Sequence, residues 1–160
     1  MLPGVVRTWA PRGQTPCLIA SGKREHLSTI GALTEDGGLH TMSFEGAVDS
    51  GRVVKFLLHL LRVTGRKLLV VWDNATIHRS REVKAFLREG GGAVRLLALP
   101  AYSPELNPKE LVWRYLKHVE LANVCCLDLA QLWRELTLAI GRLRRQVGIL
   151  KNFLSKPGYI

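Results

Sequence analysis

The chain has 160 residues, 47% of them apolar and 22% charged, enough for one domain with a real core and too apolar for a mainly disordered polypeptide. Lys and Arg total 23 against 13 Asp and Glu, a formal net charge of +10 that favours a polyanionic partner such as nucleic acid. No uncharged run approaches the roughly 20 residues that span a bilayer, and MLPGVVRTWAPRG puts Pro and Gly where a signal peptide needs an apolar helix, so the expectation is a soluble, cytoplasmic protein with no membrane partner.

Residues 1–25 read as an irregular connection, with Pro and Gly at positions 3, 4, 11 and 13. Two short apolar-rich runs follow, Leu27 to Leu33 and Leu39 to Phe44, separated by TEDGG, and Asp36–Gly37 between them predicts a hairpin. A helix is expected from Asp49 or Ser50 to Thr64, with Val53, Val54, Leu57, Leu58 and Leu61 as its apolar stripe and Gly65 as its stop. KLLVVWD is too short for a helix and apolar on both faces, which predicts a central strand covered on two sides. Val83, Phe86 and Leu87 recur at helical spacing before Gly90-Gly91-Gly92.

Val94 to Leu99 predicts another strand, closed by Pro100 and followed by the loop AYSPEL. From Asn107 the residues Leu111, Val112, Tyr115, Leu116 and Val119 form a helical face. A last helix is expected from Leu129 to Val147, its stripe Leu129, Leu132, Trp133, Leu136, Ile140, Leu143 and Val147, with Asp128 and Gln131 as a capping box. Residues 26–147 thus form one α/β domain and 148–160 a tail. Antiparallel strands followed by strand–helix units are satisfied by a mixed sheet flanked by helices. Cys17, Cys125 and Cys126 lack the spacing of a zinc site, which suits a reducing compartment.

Chemistry concentrates in two stretches. Asp73 ends the inferred central strand, where ligands gather in open α/β sheets, although an Asp73–Asn74 pair also suits a plain turn. His78, five residues on, is either a structural hydrogen-bonder or a group that orients a carboxylate or reaches a phosphate. Asn107-Pro108-Lys109-Glu110 fits N-cap, Pro at N1 and an acid at N3, so capping alone explains Glu110. The alternative is that Asp73 and Glu110 emerge at one sheet edge and share Mg²⁺, which prefers oxygen ligands.

WDNATIHRS followed by LLALPAYSPELNPKELVW resembles the second half of the catalytic domain of transposases of the insertion-sequence 630/Tc1–mariner group. Those proteins show Asp-Asn-x-x-x-His and then Leu-Pro-x-Tyr-Ser-Pro-x-Leu-Asn-Pro-x-Glu-x-x-Trp. Here these are Asp73, Asn74 and His78, then Leu99, Pro100, Tyr102, Ser103, Pro104, Leu106, Asn107, Pro108, Glu110 and Trp113. The resemblance implies a ribonuclease H-like mixed sheet flanked by helices, with Asp73 and Glu110 as the second and third catalytic carboxylates. It implies Mg²⁺ or Mn²⁺ as cofactor, with two ions only in a completed site, and cleavage and strand transfer of double-stranded DNA at transposon ends. Asn74, His78 and Asn107 would support the site. Arg79, Arg81 and Lys84 after Asp73, with Arg142, Arg144 and Arg145 in the last helix, would contact phosphates, unless they are ordinary surface charge.

Such enzymes take their first acid from a strand that precedes a Trp-x-x-x-Gly connection. This sequence opens within that connection, at Trp9-Ala10-Pro11-Arg12-Gly13, and no Asp or Glu occurs before Glu25. Glu35 and Asp36 belong to the hairpin turn at the far end, Glu45 lies two strands away, and Asp49 is a helix cap. The expectation is a fold without its first strand, incomplete as an enzyme until an upstream transposase segment or intact transposase subunits complete it. The alternative is a non-catalytic remnant that binds DNA or such subunits. A different ribonuclease H-like nuclease is disfavoured by Leu-Asn-Pro-x-Glu.

Overall fold

The computed structural model describes residues 5–14, 16–17, 26–73, 75–101 and 103–156. The early connection carries no regular element among its described residues and is tied down where the Val6 amide donates to Asn123 Oδ1 at 2.9 Å. Strands β1 (Leu27–Leu33) and β2 (Leu39–Glu45) form the expected antiparallel hairpin, in a register that runs from Leu27 opposite Glu45 to Leu33 opposite Leu39. Its turn closes through Gly37 N to Thr34 O at 2.8 Å and Thr34 N to Gly38 O at 2.9 Å. Gly37 sits at φ 87°, and a Cβ there would lie 2.9 Å from Val147 Cγ1, so both backbone conformation and close packing demand glycine.

Helix α1 (Ser50–Thr64) starts where the Asp49 carboxylate accepts from Arg52 N and ends at left-handed Gly65, whose N–H returns to Leu61 O. It leads into β3 (Leu68–Trp72), which pairs in parallel with β4 (Val94–Ala98) across α2 (Arg81–Glu89), capped by Ser80. Leu68 N to Ala93 O and Leu99 N to Trp72 O, both 2.8 Å, extend that ladder at its two ends. The strands therefore form two separate two-stranded sheets, one antiparallel and one parallel, and among the described residues no strand hydrogen-bonds β1 to β3.

The expectation that β3 is covered on both faces is corrected. Leu68, Val70 and Trp72 pack with Val53 and Leu57 of α1, Val83 of α2 and Val94 of β4. The opposite face is open: Leu69 is 68% and Leu97 54% exposed. Helices α1 and α2 both pack on the first face, so the alternate side chains of the pair have little above them among the described residues.

The larger core joins the hairpin (Leu27, Leu39) to α3 (Pro108–Tyr115), a π-helical turn (Leu116–Glu120), α4 (Leu129–Arg144) and α5 (Val147–Ser155). The π turn, closed by Leu121 N to Leu116 O at 2.9 Å, shifts the helical register, so Val119 turns outward instead of joining Val112 and Leu116 in the core. Leu58 likewise faces solvent, and Phe56 and Leu60 take its expected place on α1.

The single last helix of the sequence reading is two helices. Hydrogen bonds from Arg145 N to Arg142 O and Gln146 N to Leu143 O tighten the end of α4, and Gln146 leaves helical geometry. Residues assigned to a tail then form α5, which buries Leu150, Phe153 and Leu154. Tyr115 holds the corner, donating to Gln146 Oε1 at 3.3 Å and tilting against Phe153. Half of the expected capping box forms: Asp128 accepts from Gln131 N at 2.7 Å, whereas Gln131 Oε1 accepts from Leu127 N at 2.9 Å, one residue before the cap, and not from Asp128 N. Among the described residues no helix is long and apolar enough to cross a membrane.

Leu136 is 1% exposed at the centre of this core. Leu136→Ala is expected to destabilise the chain by about 2–5 kcal/mol, measured as a lowered urea midpoint with an unchanged slope.

Candidate active site

Parallel pairing sends the chain out of β3 and β4 at the same end. Asp73 follows β3 directly, and its side chain is 57% exposed. After Leu99 the chain crosses a loop with one 3₁₀ turn (Pro104–Leu106) before α3 begins. The Asn107 side chain accepts from Lys109 N at 3.2 Å, and Pro108 occupies the first helical position, where its missing N–H costs nothing. Glu110 therefore projects from the first turn and is exposed.

A capping role does not account for Glu110. The Asn107 N–H, which a capping-box acid would accept from, donates instead to Pro104 O at 3.0 Å. Glu110 N bonds Asn107 O at 3.0 Å, and its carboxylate makes no hydrogen bond or ion pair with the described residues.

Lys109 lies near both acids. Its ammonium lies over the Trp113 ring, 5.1 Å from the centroid, and is within electrostatic reach of both Asp73 and Glu110. Burial lowers its pKa to about 8, against the opposing pull of the two carboxylates. Sequence reasoning missed this residue, although a signal was present. A lysine in the first turn of a helix opposes the helix dipole and requires a local reason.

His78 folds back on the 3₁₀ turn Thr76–Arg79 and brings Nδ1 to 3.1 Å from Asp73 Oδ1 and 3.2 Å from Asp73 O. Its ring stacks on Trp72, with centroids 4.2 Å apart and planes 3° from parallel. Asn74 and Tyr102 lie outside the described residues.

The other acids are engaged elsewhere. Asp36 accepts from Thr34 Oγ1 and from Gly38 N in the hairpin turn, and the Thr34 bond is the main cause of its lowered pKa. Asp49 caps α1 and pairs with Arg52, and Glu45 lines an open groove with Leu129, Trp133 and Arg134. Among the described residues no three His, Cys, Asp or Glu side chains converge as a metal site. Asp73 and Glu110 thus fit a hard divalent cation as oxygen donors, but as two members of a set that needs more.

The basic residues divide in two. Arg142 binds Glu120 Oε2 at 2.6 Å and its carbonyl at 3.3 Å, while Arg144 donates to Leu39 O and Thr41 Oγ1, both at 2.9 Å; these staple α4 to the rest of the fold. Arg79, Arg81, Lys84 and Arg145 are exposed.

Comparison with known proteins places these features among relatives. The sequence profile of the DDE superfamily endonucleases matches residues 5–131. The insertion element IS630 uncharacterized 39 kDa protein of Shigella sonnei is 29% identical over 136 residues, covering 83% of this chain and 39% of that protein. Among solved structures, the Mos1 mariner paired end complex with Mn superposes with a TM-score of 0.64 at 19% identity, covering 94% of this chain and 49% of that one. The Mos1 transposase catalytic domain with Raltegravir and Mg gives the same TM-score and identity, covering 88% of this chain and 78% of that one. This chain therefore spans about half or less of the longer relatives, and its fold is the ribonuclease H-like one of the Mos1 catalytic domain.

Asn107 sets the direction of the first turn of α3. Asn107→Ala is expected to lower stability by about 1 kcal/mol and Asn107→Ser to restore most of it, measured by urea unfolding.

Proposed function

Because the chain belongs to the DDE superfamily endonuclease family, we propose that it is the catalytic domain of a transposase of the insertion-sequence 630/Tc1–mariner group, acting on the phosphodiester bonds of double-stranded DNA at transposon ends. The observation that supports this reading is the common exit of β3 and β4, which brings Asp73 and Glu110 within reach of one ammonium group.

In this reading Asp73 and Glu110 hold a divalent cation, Mg²⁺ or Mn²⁺. Bound there, the cation supplies Lewis acidity toward phosphoryl oxygens and a more acidic water. As oxygen donors, the two carboxylates suit a hard ion. Lys109 offsets their mutual repulsion before a cation arrives and offers a positive charge to the scissile phosphate afterwards. Arg79, Arg81, Lys84 and Arg145 hold the DNA backbone and set its position without choosing bases. Asp36 and Asp49 are committed to other contacts, and among the described residues no third acid converges on the pair, so in this reading a further ligand completes the site. A second reading, a domain that binds DNA or intact transposase subunits without cutting, is favoured by the lack of a third converging acid among the described residues.

Mn²⁺ titration followed by electron paramagnetic resonance tests the metal reading. Asp73→Asn and Glu110→Gln are each expected to weaken binding by about tenfold or more, whereas Glu45→Gln leaves it unchanged. Binding unaffected by both site substitutions would remove the carboxylate pair from the mechanism. For the DNA surface, replacing Arg79, Arg81 and Lys84 with Gln is expected to lower affinity for unrelated duplexes equally. It should also flatten the dependence of log affinity on log salt by about 0.9 for each phosphate no longer neutralised.

A further inference from the structure

The carboxylate of Asp73 is held asymmetrically. Oδ1 accepts from Ala75 N at 3.1 Å and faces His78 Nδ1 at 3.1 Å. The same Nδ1 lies 3.2 Å from the Asp73 carbonyl. Both atoms facing Nδ1 are acceptors, so the ring satisfies them only with the proton on Nδ1. Neutral imidazole in water prefers the other tautomer, and the site therefore selects the less common one.

Two further contacts remove the freedom of the ring. The backbone of His78 is fixed by its N–H to Ala75 O at 3.0 Å, which closes the 3₁₀ turn. The imidazole lies flat on the indole of Trp72, the residue immediately before Asp73. Trp72 is in turn fixed by its place in β3 and by packing against the core shared with α1 and α2. A rigid strand end thus holds an aromatic platform, the platform holds an imidazole, and the imidazole holds one oxygen of the acid.

We propose that His78, seated on Trp72, is a positioning residue that occupies Oδ1 of Asp73 and leaves Oδ2 as the single oxygen offered to a divalent cation. The inference rests on the reading of Asp73 as a metal ligand and adds to it the coordination mode, one oxygen rather than two, and the residues that impose it. A carboxylate restrained in this way loses less rotamer freedom on binding and presents its lone pairs in one direction, the role that hydrogen-bond partners of metal ligands serve in general. Trp72, a core aromatic by sequence pattern, acquires a second task.

Two measurements on the full chain test this. In metal-free, mildly alkaline buffer, a long-range ¹⁵N spectrum of the histidine rings is expected to show His78 with its proton on Nδ1, and Trp72→Leu to move it toward the Nε2–H form. A wild-type His78 with its proton on Nε2 would overturn the proposal without reference to metal. In Mn²⁺ titrations, His78→Phe keeps the stack on Trp72 but removes the donor and is expected to weaken binding by about tenfold. His78→Asn, whose amide nitrogen reaches the place of Nδ1, is expected to recover most of that loss. If His78→Phe binds Mn²⁺ as wild type does while Asp73→Asn does not, the positioning role is overturned and the metal reading stands. Equal binding by Asp73→Asn as well overturns the metal reading and this inference with it.

Discussion

The parallel ladder between β3 and β4 fixes where Asp73 and the loop leading to Glu110 emerge. Two strands running the same way leave the sheet at the same end, and each is followed by a short connection and a helix. An antiparallel arrangement of the same segments would put Asp73 and Glu110 at opposite ends of the sheet. Everything else at the site adjusts side chains over distances of a few ångströms, whereas this pairing sets the position of whole segments. The Leu99 N–H bond to Trp72 O carries the ladder one residue past β4 and holds the departing chain beside the loop that begins at Asp73.

Charge governs the next level. Lys109 is near enough to feel the charge of both Asp73 and Glu110. Its partly desolvated ammonium is seated over the face of Trp113. The pair Trp72–His78 serves Asp73 as the pair Trp113–Lys109 serves the region around Glu110. In each case an indole provides a rigid, apolar seat for a polar group that must not wander. Among the basic residues, Arg142 and Arg144 spend their hydrogen bonds on Glu120, Leu39 and Thr41, so net charge alone overstates how much of the surface is available to a polyanion.

Local chemistry was legible in the sequence wherever a residue acts through its immediate neighbours. Asp36–Gly37 announces the hairpin, Asp49, Asn107 and Asp128 announce helix starts, and the abrupt change from LLVVW to Asp73 marks the strand end. Features that depend on distant packing were not. The break at Arg145–Gln146 involves no Pro or Gly and arises because α5 folds back to bury Leu150 and Phe153. The π turn that expels Val119 leaves no mark on the periodicity, and the apolar run of β3 does not reveal that only one of its faces is covered. At the candidate site, the motif singled out both acids and His78. The stacking of His78 on Trp72 and the reach of Lys109 to both carboxylates exist only in three dimensions.

Gly31 lies in the middle of β1, distant in sequence from either acid. A Cβ at this position would come within 3.2 Å of both the Trp113 ring and the His40 carbonyl. The backbone cannot readily yield, so one added methyl would press on the indole that seats Lys109. The hairpin thereby backs the ring that seats the Lys109 ammonium. A change as small as glycine to alanine, on a strand far from either acid in sequence, would therefore be felt through one aromatic ring by the lysine on the same face of α3.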